Sequence, residues 1–327
     1  MSVSFSIVIP THDRKESIAR VLAALELQRG EVQSPLEIVV VDDGSSDGTS
    51  EALAGCGAKW RVLRQDRAGP ARARNRGAEA ASGDILLFLG DDTVPEPGFL
   101  SEHQRAQTEE SASGPCAVLG YTTWDRSRMR VTPLLTHLNE RGLQFGFSLI
   151  QDPENVPFNF FYTSNVSLPR QTFLGLGGFD ESFPSAAWED VEFAYRAMQG
   201  LEPLRMVYRP SARVRHDHPT TIAAFRARQY RAGMAAAVFA GKHPKTEGWL
   251  GVDAARRLSP ERSRRIELLE PVVVSLDRLG IPLSGRLYDA IFHWDYLSGL
   301  RKGLITASRG GDDPAHDPSS SSGKTLA

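Results

Sequence analysis

Three pairs of acidic residues stand where chemistry would need them. In "LEIVVVDDGSSDGT" (36–49) an apolar run stops at Asp42 and Asp43, and in "LLFLGDDTVPEP" (86–97) another stops at Asp91 and Asp92. Adjacent like charges are costly unless a cation or a hydrogen-bonding ligand offsets them. A third pair, Glu189 and Asp190 in "WEDVEFAYR", opens a helical pattern, where the helix dipole favours carboxylates. Such groups can accept a hydrogen bond from a ligand N–H, hold a hard divalent cation through oxygen, or take a proton as a general base. His216, in "ARVRHDHP", could add an imidazole to a metal or bind a phosphate oxygen. Each residue also has an ordinary role: strand-end turn, first-turn helix acid, or surface histidine.

The elements that must position these groups read as alternating strands and helices over the first ~100 residues. "FSIVIP" is a short buried strand closed by Pro10, and Asp13 with Glu16 has capping-box spacing. Ile18, Val21, Leu22 and Leu25 then recur at helical spacing. "LEIVVV", "RVLRQ" and "DILLFL" are further strands, with a helix over 70–82 stopped by Gly83. Runs that are apolar throughout suit strands buried on both faces of a parallel sheet. Ligands in such sheets sit beyond the carboxyl ends of the strands, so both strand-end acid pairs should share one rim. From 115 to 216 short strands and long loops alternate, with a helix over 188–199. Helices are expected over 221–241, 259–280, where Ser259 and Pro260 suit an N-cap and N1 pair, and 285–304.

Four segments, "SIVIPTHDR", "IVVVDDGSSDGT", "AGPARARNRGAEAASGDILLFLGDD" and "GGFDESFPSAAWEDVEFAYR", resemble in order and spacing the family 2, GT-A-fold glycosyltransferases. The resemblance covers residues 3 to about 218. It implies an α/β, Rossmann-like, mostly parallel sheet flanked by helices, followed by a C-terminal helical extension. The implied boundaries are a 1–220 transferase domain (1–110 for the nucleotide sugar, 111–220 for the acceptor), an extension over 221–307 and a disordered tail over 308–327. The implied activity is inverting transfer of a sugar from a nucleotide-diphosphate sugar, UDP favoured, to an acceptor hydroxyl in glycan or glycoconjugate synthesis, with Mn²⁺ or Mg²⁺. Carried over residue by residue, Asp43 accepts from the uracil N3–H, with Asp42 nearby and Pro10, Thr11 and Arg14 around the base. Asp92 is the metal ligand beside Asp91, and His216 fits the late-histidine position better than His218. Arg67, Arg72 or Arg74 could neutralise the diphosphate or pair with the rim acids, and Arg74, next to Asn75 in an "ARN" like the family's, is the one chosen. Asp190 is the base, Glu189 supports the acceptor, and Trp188 is a stacking platform for a sugar ring. One departure stands out: Gly90 occupies the place of the first acid in the family's Asp-x-Asp. That favours an alternative, a non-catalytic nucleotide-sugar-binding scaffold, against which Asp92 and Asp190 argue.

Composition excludes several other classes. A formal charge of −2 gives no footprint for nucleic acid, and no apolar run approaches the roughly 20 residues of a membrane span. The turn after the first strand, "PTHDRKES", lacks the glycines of a dinucleotide or nucleotidyl-transfer loop. Two cysteines, Cys56 and Cys116, suit a reducing compartment, and the start carries no signal-peptide pattern, so the expected location is cytoplasmic. Arg226, Arg228, Arg231 and Lys242 make the 221–241 helix basic, which offers peripheral contact with anionic lipid, a solvated face being the commoner outcome. Apolar positions on the last two helices would suit a homodimer.

Overall fold

The computed structural model describes residues 3–32, 35–55, 59–258, 271–277, 279, 281 and 284–310. One eight-stranded sheet organises them, in the order β3-β2-β1-β4-β7-β6-β8-β5. The first half is the expected parallel one: β1 (Phe5–Thr11), β2 (Leu36–Asp43), β3 (Arg61–Gln65) and β4 (Ile85–Leu89). The second half is mixed. β7 (Asn165–Pro169) runs antiparallel to β4 and β6 (Cys116–Trp124), and β8 (Arg205–His216) runs parallel to β6 and antiparallel to the three-residue β5 (Thr93–Pro95). Strand β8 extends well past the "RMVYR" read from sequence, which carries His216 into register with Thr93 and Trp124.

Both faces of the central strands are covered, which is why the ILLFL of β4 and the IVVV of β2 are apolar at successive positions. Ile7, Ile9, Ile38 and Val40 pack against Ile18, Val21 and Leu22 of α1 (Lys15–Gln28). Val8, Leu86 and Phe88 face the opposite layer. There Phe88, Phe173, Phe179 and Phe193 interlock with ring centroids 4.9–5.4 Å apart. Phe173 lies on α6 (Arg170–Gly175) and Phe193 on α7 (Glu189–Met198). This cluster therefore fixes the strand that leads to Asp91 against the helix that carries Asp190.

The capping box expected from Asp13 and Glu16 does not form. Asp13 adopts φ +51° and its carboxylate accepts instead from the Ser46 backbone N–H, 2.7 Å away. It thereby joins the turn after β2 to the turn after β1. The remaining helices are α2 (Thr49–Ala54), α3 (Pro70–Ala80), α4 (Phe99–Glu110), α5 (Pro133–Glu140), α8 (Ile222–Lys242), α9 (Glu247–Leu250), α10 (Val252–Arg256), a helical stretch over 271–277 (α11) and α12 (Gly285–Gly310). Helix α12 outruns the expected end at 304 and enters the segment read as tail. Ser259 and Pro260 lie outside the described residues.

Helices α8 and α12 meet backbone to backbone. A methyl group on Gly233 would stand 2.6 Å from the Leu300 nitrogen, against the Tyr296 carbonyl; one on Gly303 would stand 2.7 Å from Ala237 Cβ. The cations of α8 are mostly spent inside the fold. Arg226 pairs with Asp295 at 2.7 Å and Lys242 with Asp180 at 2.6 Å, while Arg228 bonds Gln144. The lipid-contact reading loses three of its four charges. Among the described residues no helix is long and apolar enough to cross a membrane.

Gly233→Ala gains about 1 kcal/mol of helix propensity but overpacks the crossing at a cost of about 1–3 kcal/mol or more. The denaturant midpoint is expected to fall. An unchanged midpoint would mean that the two helices do not touch there.

Candidate active site

A cavity of about 1080 Å³ opens beyond the carboxyl ends of β1, β2 and β4. Eleven of the twelve residues singled out from sequence line it: Pro10, Thr11, Arg14, Asp43, Arg74, Asp91, Asp92, Trp188, Glu189, Asp190 and His216. Asp42 does not. Neighbouring strand residues point to opposite faces, and Asp42 is fully buried on the far side, where it accepts from the Ser45 N–H at 2.9 Å and from the Ser50 hydroxyl. It shapes the turn after β2 through these contacts.

Asp43 is held by the loop beyond β3. Its Oδ1 accepts from Gln65 Nε2 and the Ala68 N–H, and its Oδ2 from the Gly69 N–H, all at 2.8 Å. A carboxylate oxygen accepts about two bonds, so Oδ2 keeps room for one ligand donor. Asp91 accepts from the Thr11 hydroxyl at 2.8 Å. Burial, with the neighbouring Asp92 charge, pushes its carboxyl up to about 6.

Asp92 is the opposite case. His216 Nε2 lies 3.4 Å from its Oδ2 and His218 Nδ1 3.3 Å. These imidazoles outweigh burial and hold its carboxyl well below the usual range. Arg14 Nη1 approaches the same oxygen at 3.9 Å. Gly90 explains itself here. A Cβ at this position would sit 3.1 Å from Asp92 Oδ1 and from Thr93 Oγ1, so the missing acid leaves the space that the remaining one occupies.

Glu189 and Asp190 enter the cavity from the first turn of α7. Trp188 precedes them in the left-handed region, at φ +76°, a conformation that costs a bulky residue about 1–3 kcal/mol. The indole N–H donates to the Ala232 carbonyl at 2.8 Å, and Trp249 packs edge-on at 5.4 Å. The loop before it is clamped by Asn75, which donates to the Phe179 carbonyl and accepts from the Phe179 N–H, both at 2.8 Å. Asp190 Oδ1 accepts from the Val191 N–H at 2.8 Å. Burial raises the Asp190 carboxyl, and burial together with the Asp190 charge pushes Glu189 up to about 7. Arg74 opposes this from 3.4 Å, but one oxygen of Glu189 stays buried without a partner. Arg74 thus pairs with the acids of α7 while lining the same cavity.

Several lining residues were invisible in the sequence. Gln144 and Arg228, hydrogen-bonded to each other, line the cavity, and α12 presents Asp289, Phe292, His293 and Tyr296. His218 had a legible signal: two residues apart on an extended chain, it shares a face with His216. Among the described residues, Asp92, His216 and His218 form a group whose ligand atoms lie within 4.8 Å of one another. A carboxylate and an imidazole there, with His216 Nδ1 buried and unpartnered, fit a divalent cation.

Comparison with known proteins bears on the family and the fold. Residues 6–167 match the family described as "Glycosyl transferase family 2". A validoxylamine A glucosyltransferase of Streptomyces hygroscopicus subsp. jinggangensis is 27% identical over 90% of this chain and 81% of its own length. A pre-mycofactocin glycosyltransferase of Mycobacterium tuberculosis is 28% identical over 73% of this chain, which spans only 48% of that relative. Among solved structures, a mannosyltransferase from Pyrobaculum calidifontis in complex with GDP-Man and Mn²⁺ superposes with a TM-score of 0.57 at 18% identity, covering 92% of this chain and 86% of the other. S. aureus TarS 1-349 gives 0.51 at 16% identity, covering 94% and 92%.

A raised folded-state pKa on an acid stabilises the fold below the unfolded value and is lost as pH rises through the folded one. Stability should therefore fall between about pH 4.5 and 7 as Glu189 gives up its proton. Glu189→Gln should flatten that slope in denaturant midpoints measured across the range; an unaltered slope would assign the titration elsewhere.

Proposed function

As the chain is a family 2 glycosyltransferase with the GT-A fold, we propose that it transfers a sugar, with inversion, from a nucleoside-diphosphate sugar to an acceptor hydroxyl. The observation that carries this reading is the convergence of Asp43, Asp92 and Asp190, from distant parts of the chain, on one cavity. The donor base lies against Pro10 and Thr11, with the free acceptor site of Asp43 toward its N–H. A UDP donor suits that contact. TarS has been solved in complex with UDP, and the Pyrobaculum relative with GDP-Man.

Asp190 takes the proton of the acceptor hydroxyl as the oxygen attacks the anomeric carbon opposite the diphosphate. The bond from that carbon to the diphosphate breaks, and the pair of electrons leaves with the nucleotide. Asp190 suits this role because it faces the cavity and is oriented by the Val191 N–H. Burial raises both carboxyls of this pair, and the Arg74 guanidinium, 3.4 Å from Glu189, works against that rise and favours the ionised form a base needs. Asp92 and His216 would hold a divalent cation, which would neutralise charge developing on the leaving diphosphate. Trp188, Trp249 and Tyr296 give the acceptor half aromatic faces suited to stacking on a sugar ring.

Asp190→Asn should keep nucleotide binding and lower turnover at least ~10²-fold; transfer at the parent rate would remove Asp190 from the base role. Chelation of divalent metal should abolish transfer in a product assay, and undiminished product would defeat the Asp92 assignment.

A further inference from the structure

We infer that His218 completes a seat of two imidazoles and one carboxylate, with Asp92 and His216, that selects a nitrogen-preferring transition cation over Mg²⁺, and that Arg14 is the built-in positive charge such a cation displaces. This deepens the metal-dependent reading above and rests on it.

The seat is prearranged by its neighbours. The rings of His216 and His218 stack 5.5 Å apart at 15°, and Trp124 stacks on the other side of His216 at 5.4 Å. Asp217, between the two histidines, is turned the other way. Its carboxylate is held by Arg20 at 2.6 Å and Arg128 at 2.8 Å, and its N–H donates to the Asp92 carbonyl at 2.9 Å. The chain that carries both imidazoles is thus tied directly to the residue that supplies the carboxylate.

Arg14 marks the charge the seat expects. Its Nη2 lies 3.2 Å from His218 Nδ1, and an arginine can only donate. The same imidazole nitrogen stands 3.3 Å from Asp92 Oδ2, and Arg14 Nη1 lies 3.9 Å from that oxygen. The guanidinium thus brings its positive charge to the two atoms that a coordinated cation would bridge.

The donor set decides the metal. Mg²⁺ prefers oxygen ligands and keeps several waters. Imidazole suits later first-row ions, whose affinity rises from Mn²⁺ through Co²⁺. Gly90 contributes no oxygen, and Asp91 is engaged by Thr11. Two nitrogens therefore outnumber one carboxylate.

Titration calorimetry of the full chain with Mg²⁺, Mn²⁺, Co²⁺ and Zn²⁺ alone tests this. Co²⁺ and Zn²⁺ should bind more tightly than Mn²⁺, and Mg²⁺ most weakly. His218 is 42% exposed, so His218→Ala should fold normally, checked by circular dichroism. It should weaken Co²⁺ at least about tenfold, the lower end of what loss of even an outer-shell partner costs, and leave Mg²⁺ unchanged. Arg14→Ala should tighten binding of every ion. Mg²⁺ binding as tightly as Co²⁺, or His218→Ala leaving Co²⁺ affinity at the parent value, overturns the seat while leaving the transferase reading intact. Failure of every ion to bind, with UDP present as well, overturns both.

Discussion

Negative charge gathered at one place is the constraint that the rest of this molecule is arranged around. Asp43, Asp91, Asp92, Glu189 and Asp190 all line one cavity, and repulsion between them must be balanced locally. Three devices do so. Backbone and side-chain donors surround Asp43, imidazoles and Arg14 surround Asp92, and Arg74 meets Glu189. What remains unbalanced is expressed as carboxyls that hold their protons longer, at Asp91, Glu189 and Asp190. Each device comes from a different element, so the sheet and its flanking helices must hold their relative positions closely.

The phenylalanine cluster supplies much of that rigidity. Aromatic rings in tilted and edge-on contact each add about 0.5–1.5 kcal/mol beyond the area they bury. Phe88, Phe173, Phe179 and Phe193 connect β4, α6, the loop that Asn75 clamps, and α7. The strand that ends near Asp91 and the helix that carries Asp190 are joined through an apolar bridge of rings. Trp188 in its strained conformation sits at the end of that bridge and is held by contacts from α8 and α9.

Local signals made the donor half legible. β1, β2 and β4 are continuous apolar runs, and their acidic ends declare themselves. Legibility failed where a residue's role depends on facing. Asp42 and Asp43 are chemically the same, and only the pleat sends one into the cavity and the other to Ser45 and Ser50. It failed again at β5, whose three residues carry too little pattern to read, and at Asp13, whose capping role is overridden by a contact with Ser46. The C-terminal helices were read as an extension because their periodicity is visible and their partners are not. Arg228 looks like one cation among four until α8 is placed against Gln144.

That placement has a consequence for how the enzyme could diversify. Asp289, Phe292, His293 and Tyr296 lie three, four and seven positions along α12 from the first of them, a single helical stripe facing the cavity. The glycine crossing with α8 fixes the pitch of this stripe independently of which side chains it carries. α12 therefore acts as an exchangeable comb: its teeth can be recut to reshape one wall of the cavity while Asp43, Asp91, Asp92, Glu189 and Asp190, all on other elements, keep their coordinates.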